Sequence, residues 1–259
     1  MKQNRIIAAC IALAGAAGLL FGQSKPPQVK SQKEAEAVNA MFTAPDPNAQ
    51  IKAAENLITK FADSDFKPLA LFVEASAYQA KNDGDNAVIY AERMLEIDKT
   101  SFQAGQAMLI IGRTTALHTR EFDLDKEEKL AKSEKLANQA IGVFQGAAKP
   151  NPNLPDEQWE AVRKEAIASA HEVLAVSAQT RKKPDVAIAE YKLAIDTPQP
   201  DPATMVRYTA YLNSIGKYDE AAAMADKVLA QPDLHPTIKD VATKEKERAV
   251  KGKAGAPAK

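Results

Sequence analysis

From Ser31 onward, apolar residues recur every three or four positions, the spacing that gathers them on one face of a helix. Eleven stretches follow this pattern: near 31–43, 48–62, 66–82, 85–98, 101–119, 125–147, 156–181, 184–196, 202–215, 218–231 and 236–250. Between them stand residues that stop helices or suit turns: Pro45 and Pro47, Asp83-Gly84, Pro150 to Pro155, Pro198 to Pro202, and Pro232 with Pro236. No run alternates β-branched with polar residues, so no strand is predicted. Asp201 to Pro236 shows the unit most clearly. Asp201 suits an N-cap and Pro202 the first turn, where a missing N–H costs nothing. Met205, Tyr208, Thr209, Leu212 and Ile215 share one helical face, and Gly216 ends that helix. Ala221, Met224, Ala225, Val228 and Leu229 form the inner face of the next. A hairpin of two short helices cannot bury both faces alone, so it requires stacked neighbours.

The second helices of the pairs repeat one another. Ala53 and Ala87 are 34 residues apart, and so are Ala187 and Ala221. The strings NDGDNAVIYAERMLEID (82–98), RKKPDVAIAEYKLAID (181–196) and IGKYDEAAAMADKVLA (215–230) agree around these alanines. A methyl group at such a place lets two helix axes approach where a larger side chain would force them apart. The unit resembles the tetratricopeptide repeat (TPR), a 34-residue helix–turn–helix. Leu71, Ala75 and Tyr78 with Ala87, Ala91 and Met94 carry the resemblance in one unit. Leu174 and Ala175 with Ala187, Tyr191 and Ala194 carry it in another, and Gly216 with Ala221 and Val228 in the last. The first unit has its alanines but lacks the aromatic residues of the first helix. Ala87 and Ala187 stand 100 residues apart, too far for two repeats and just short of three. One enlarged unit is therefore expected there, with Met108, Ile111 and Gly112 on its first helix and Leu136, Ala137, Ile141 and Phe144 on its second. Thr119 to Lys135 is expected as its charged helical extension. The resemblance implies an all-α, TPR-like solenoid, a right-handed superhelix of about five helix pairs over 31–235. A capping helix is expected at 236–250, resting on Ile238, Val241, Ala242 and Ala249, and then a disordered tail at 251–259.

Charge and composition narrow the role. With 45% hydrophobic residues the chain can build a packed core. Lys+Arg and Asp+Glu balance at 34 each, which argues against a protein whose main work is holding nucleic acid. Lys2 and Arg5 precede the apolar run Ile6 to Phe21, and polar residues follow Gly22. This order reads as a signal peptide over 1–24, cleaved near Gly22, with a linker at 25–30. An uncleaved membrane anchor is the alternative, because 16 apolar residues are long for a leader and short for a span. Either reading places the folded part outside the cytoplasm, periplasmic or secreted. IAAC, ending at Cys10, looks like a lipoprotein lipidation box, but the apolar run continues past it. Cys10 is the only cysteine, so a cleaved chain has no thiol for a disulfide or a metal. The phrase AENLITKFADSDFKPLALFVEASAYQAKNDGD (54–85) also resembles repeats of periplasmic adaptors that serve outer-membrane assembly and cell-wall synthesis.

Candidate chemistry is sparse. His171-Glu172-Val173-Leu174-Ala175 begins like a zinc helix but lacks the second histidine four residues on, so a packed histidine is expected. His118 and His235 are lone residues near helix ends. Asp123, Asp125, Glu127 and Glu134 have the spacing of a calcium loop. Glu128, however, stands where the sharp turn needs glycine, and Lys129 and Lys132 blunt the charge. No phosphate loop, dinucleotide fingerprint or nucleophile elbow is present. No catalytic residue, cofactor or metal is therefore expected, and the protein is read as a non-enzyme. What remains is a surface. The resemblance implies that the first helices line a concave groove, at Phe72, Ser76 and Gln79, then Leu109, Arg113 and Ala116. The later units would add Glu172, Val176 and Gln179, then Val206, Ala210 and Asn213. Phe72, Leu109, Val176 and Val206 are expected as an apolar row facing solvent, with intramolecular packing as the alternative for part of it. Gln79, Arg113, Gln179 and Asn213 would fix a bound segment through its backbone amides. Arg113 is the one cation in this set, so the clustered Lys and Asn with which some family members grip a terminal carboxylate are missing. Mixed apolar floors and amide heads suit an internal segment or helix of a protein partner. The expected function is an exported scaffold or adaptor for protein–protein interactions in the bacterial envelope. Its partners are proteins or peptide segments and not nucleic acid, and the mature chain has no membrane span. The alternative is a periplasmic small-ligand-binding helical repeat protein, its pocket closed over the concave face by the long middle helices.

Overall fold

The computed structural model describes residues 27–255. The signal-peptide region at 1–24 and residues 256–259 of the expected tail lie outside them. Eleven helices and no strand occur among the described residues: α1 (Gln32–Thr43), α2 (Pro47–Lys60), α3 (Lys67–Ala80), α4 (Gly84–Ile97), α5 (Phe102–His118), α6 (Lys126–Gly146), α7 (Asp156–Thr180), α8 (Pro184–Ile195), α9 (Pro202–Ser214), α10 (Tyr218–Leu229) and α11 (Pro236–Gly255). The starts follow from local chemistry. Ser31, Asp46, Asp83, Ser101 and Asp201 each accept a first-turn backbone N–H in their side chain. Proline occupies the first turn of α2, α3, α8 and α9.

Three of the turns inside the pairs are one structure repeated. Asn82, Lys182 and Gly216 all adopt a left-handed backbone, with φ of 59°, 58° and 77°. In each case the following N–H reaches back to close the helix: Asp83 to the Tyr78 carbonyl, Lys183 to Ala178 and Lys217 to Leu212, at 2.9–3.0 Å. Only the last position is glycine, so the first two carry a modest backbone strain that the closing bonds offset.

Successive helices pack antiparallel in pairs, and α3 also touches α5, α5 touches α7, and α9 touches α11. This layering is a TPR-like helical solenoid. Its core falls into four clusters along the array, from Ala37, Val38 and Met41 at one end to Ala242 and Ala249 at the other. Ala87, Ala187 and Ala221 are fully buried, as close approach demands. In the first pair the buried contact is Ala54, while Ala53 is only half-buried. The reason is that α2 starts at Pro47, so Ala53 is its seventh residue, whereas Ala87, Ala187 and Ala221 are each the fourth of theirs. The enlarged pair is α5–α6, where Phe102 packs on Phe144 and Trp159 with ring centroids at 4.9 and 5.3 Å. Arg181, at the end of α7, ties α6 down by ion pairs to Glu127 and Glu134.

The capping helix is longer than expected and absorbs residues 251–255 of the predicted tail. Gly252 lies so close to the Tyr218 ring that a Cβ would stand 2.3 Å from it, and Lys253 pairs with Asp219. These contacts hold a segment that its composition alone marks as loose.

The alanine contacts supply a direct check of register. Ala221→Leu should cost about 1–3 kcal/mol by overpacking. Ala223→Leu, on the exposed face of the same helix, should stay within about 0.5 kcal/mol. Urea melts that move both variants equally would refute the packing described.

Candidate interaction cleft

The inner faces of α3, α5 and α7 and the 196–201 connection between α8 and α9 enclose one cleft of about 220 Å³. Phe72, Phe102, Leu109, Phe144 and Val162 give it an apolar floor. Ser76, Gln79, Gln106, Arg113, Ser169, Thr197 and Gln199 supply polar heads, and Glu165 and Asp201 bring carboxylates. Both carboxylates are already engaged: Asp201 caps α9 through Ala203 and Thr204, and Glu165 also has a partner.

Arg113 belongs to a triad, centred on the buried Glu172, that joins three inner helices. Its Nη2 lies 2.8 Å from Glu172 Oε2, and Arg207 Nη1 contacts the other oxygen. Glu172 is 2% exposed. Burial alone would push its carboxyl up, but the charges of Arg113 and Arg207, with the Thr204 hydroxyl, outweigh it and hold the group below the ordinary carboxylate range. Two guanidinium groups thus share one carboxylate beside the cleft. The Nε of Arg113 is buried and has no protein acceptor among the described residues.

The predicted row divides. Phe72, Ser76, Gln79, Leu109 and Arg113 come together in the cleft. Ala116 and Val176 close a small space beneath it beside Arg113 and Glu172. Gln179 stays exposed and its Oε1 accepts the Tyr191 hydroxyl at 2.9 Å. Val206 belongs to the C-terminal core, Ala210 is half-buried, and Asn213 is 3% exposed. Asn213 Nδ2 donates to the Glu245 carbonyl and carboxylate of α11, both at 2.8 Å. The expectation of a solvent-facing apolar row is corrected accordingly. Phe72 is partly exposed, whereas Leu109, Val176 and Val206 are 7–8% exposed. Neighbouring inner helices stack edge to edge and cover these side chains. Likewise, Gln179 and Asn213 make bonds within the chain.

Sequence reasoning missed Gln106 and Ser169, although each sits three residues before a residue it named (Leu109 and Glu172), one turn along the same inner face. It read Asp201 only as a cap and passed over Thr197 and Gln199, because a Pro-rich connection has no periodicity to place its side chains. His171 Nδ1 lies 2.7 Å from Glu190 Oε2 on α8. The acids of the calcium-like spacing are held by cations, Asp123 and Asp125 by Lys129, Glu127 and Glu134 by Arg181. Among the described residues, no three His, Cys, Asp or Glu side chains gather as metal ligands, and no helix is long and apolar enough to cross a membrane.

No protein-family model matches the chain, and no curated relative does. Among solved structures it is similar to a thermophilic TPR protein of Thermus thermophilus, at 15% identity and a TM-score of 0.58, over 82% of this chain and 98% of that one. At this identity the likeness speaks for architecture alone, and the architecture of this chain is TPR-like.

Proposed function

We propose that the protein is an exported scaffold of the bacterial envelope that holds an internal segment of a protein partner in the cleft between α3, α5 and α7. The observation that carries this reading is the lining: aromatic and aliphatic side chains on the floor, amides and hydroxyls above them, and one cation already neutralised by Glu172. Such a surface rewards an apolar side chain and hydrogen-bonds the peptide backbone beside it. It has no free cluster of cations for a terminal carboxylate. Export is proposed from the Lys2/Arg5, apolar run and Gly22 order.

The test combines both parts. The tagged full-length chain is expressed in its native host, recovered from the envelope fraction and sequenced from its N-terminus, which is expected between Phe21 and Lys25. Partner recovery is then compared with that of Ser76→Arg/Gln79→Ala, two half-buried cleft positions. The variant should keep its melting temperature within about 2 °C and lose the partner. Retained partner at unchanged stability would place binding elsewhere. Soluble cytoplasmic protein with an intact Met1 would defeat export. The same cleft could hold a small apolar molecule with hydrogen-bonding groups, and a thermal-shift hit from a metabolite set would favour that second reading.

A further inference from the structure

The floor of the cleft is the outer end of a set of packed rings. Phe102 lines it at 8% exposure. Behind Phe102 stand Phe144 and Trp159, with ring centroids at 4.9 and 5.3 Å and planes tilted by 52° and 50°. This backing is tightly fitted. Phe144 is fully buried, and its ring lies so close to Gly105 that a Cβ there would stand 2.5 Å from it. Phe72 brings a further ring to the cleft from α3, and that ring is only partly buried. Size limits what can enter. A cavity of about 150 Å³ holds benzene, and the cleft encloses about 220 Å³. That is room for one ring with its methylene. A tilted ring pair at such separations gains attraction beyond the area it buries, which an aliphatic side chain of equal size does not. At the rim, the half-buried Gln79 and Gln106 and the exposed Gln199 present amides beside this space.

Building on the cleft as the protein-binding site, we propose that it takes a single aromatic side chain of the partner segment, seated against Phe102 and Phe72. The rim amides then hydrogen-bond the partner's backbone on either side of that residue, or a tyrosine hydroxyl at its tip. A charged side chain gains little here. Arg113, the cation of the lining, is engaged with Glu172, and Asp201 with the first turn of α9. An aliphatic anchor would fill the same space without the ring contacts.

Trp159 is the chain's only tryptophan and packs on Phe102, so its fluorescence reports on the floor. The full chain is titrated to about 10 mM with acetylated pentapeptides Ser-Gly-X-Gly-Ser, where X is phenylalanine, cyclohexylalanine or alanine. The first two side chains match in size, so their difference isolates the aromatic contribution. The expected result is a saturable change in Trp159 emission. The phenylalanine peptide should bind about threefold or more tightly than the cyclohexylalanine one, and the alanine peptide should not bind. Phe72→Leu should bring the first two affinities within about twofold of each other, in a chain that still unfolds cooperatively. Ser76→Arg/Gln79→Ala should abolish binding of all the peptides. Equal affinities for the ring and its saturated analogue, or no saturable change with any peptide, would overturn the aromatic selectivity. If the cleft variant still loses the native partner in that event, the protein-binding reading stands without it. Peptide binding and partner recovery that both survive in the cleft variant would overturn the two together.

Discussion

Glu74→Gln is expected to stabilise the protein by about 3–4 kcal/mol at pH 8 and to change it little at pH 4.5. Glu74 lies on α3 at 1% exposure, and neither of its carboxyl oxygens has a hydrogen-bond partner among the described residues. Burial, reinforced by the negative charge of Glu55 and only partly opposed by Arg93, pushes its carboxyl from 4.5 up to about 8. The native state therefore keeps a proton that the unfolded chain has already released. Where the native state binds more protons, stability falls as pH rises. The loss begins near 4.5, the unfolded value, and is complete near 8. Glutamine has almost the same shape and cannot ionise, so it removes the slope. Urea unfolding of both proteins at pH 4.5, 6 and 8 should give curves that diverge steadily. Parallel pH profiles would mean that Glu74 is solvated or paired in solution.

The second large effect has the opposite sign. Glu172→Gln should destabilise the protein by about 2–4 kcal/mol at neutral pH, because it leaves two guanidinium groups facing each other without their shared carboxylate. This is below the full cost of an orphaned buried charge, since Arg113 and Arg207 keep 22% and 36% side-chain exposure and water screens them in part. Adding Arg207→Met to Glu172→Gln should recover part of the loss, and the double-mutant cycle gives the coupling. With Glu172 held below its ordinary range, the triad contributes fully above the unfolded value of 4.5 and is lost as pH falls through the lower folded value. A Glu172→Gln variant as stable as wild type at pH 7 would show that the triad contributes nothing net. Glu74 and Glu172 therefore pull the pH profile in opposite directions, the first favouring acid and the second opposing it.

The architecture was legible because helix breakers and three- and four-residue spacing are local signals. Each of the eleven helices falls within a few residues of its predicted range, and Ala87, Ala187 and Ala221 occupy the contacts assigned to them. Register failed at Ala53, where the longer start of α2 was invisible to a comparison anchored on the other units. The groove was half legible. Positions on one helix face can be read from sequence, but whether a neighbouring helix covers them cannot. That is why Phe72 and Gln79 fell in the cleft while Val206 and Asn213 fell beneath other elements. Arg113, Glu172 and Arg207 illustrate the same limit: two of the three were named as groove residues, yet their pairing spans 94 residues of sequence and depends on how α5, α7 and α9 stack.

The fit of α11 against the last pair bears on how such a chain can grow. Its inward side is fully used: Ala242 and Ala249 are buried, Glu245 receives Asn213, and Lys246 and Lys253 pair with Asp226 and Asp219. Its other side offers Lys239, Asp240, Lys244, Glu247 and Lys251 to water, with only Val241 and Val250 as exposed large apolar side chains along the helix. A helix pair duplicated ahead of Pro236 would inherit α11 as its own terminus, whereas one appended after Gly255 would meet a charged wall. Lengthening by duplication is therefore open only to the interior of the array, with the final helix carried along unchanged.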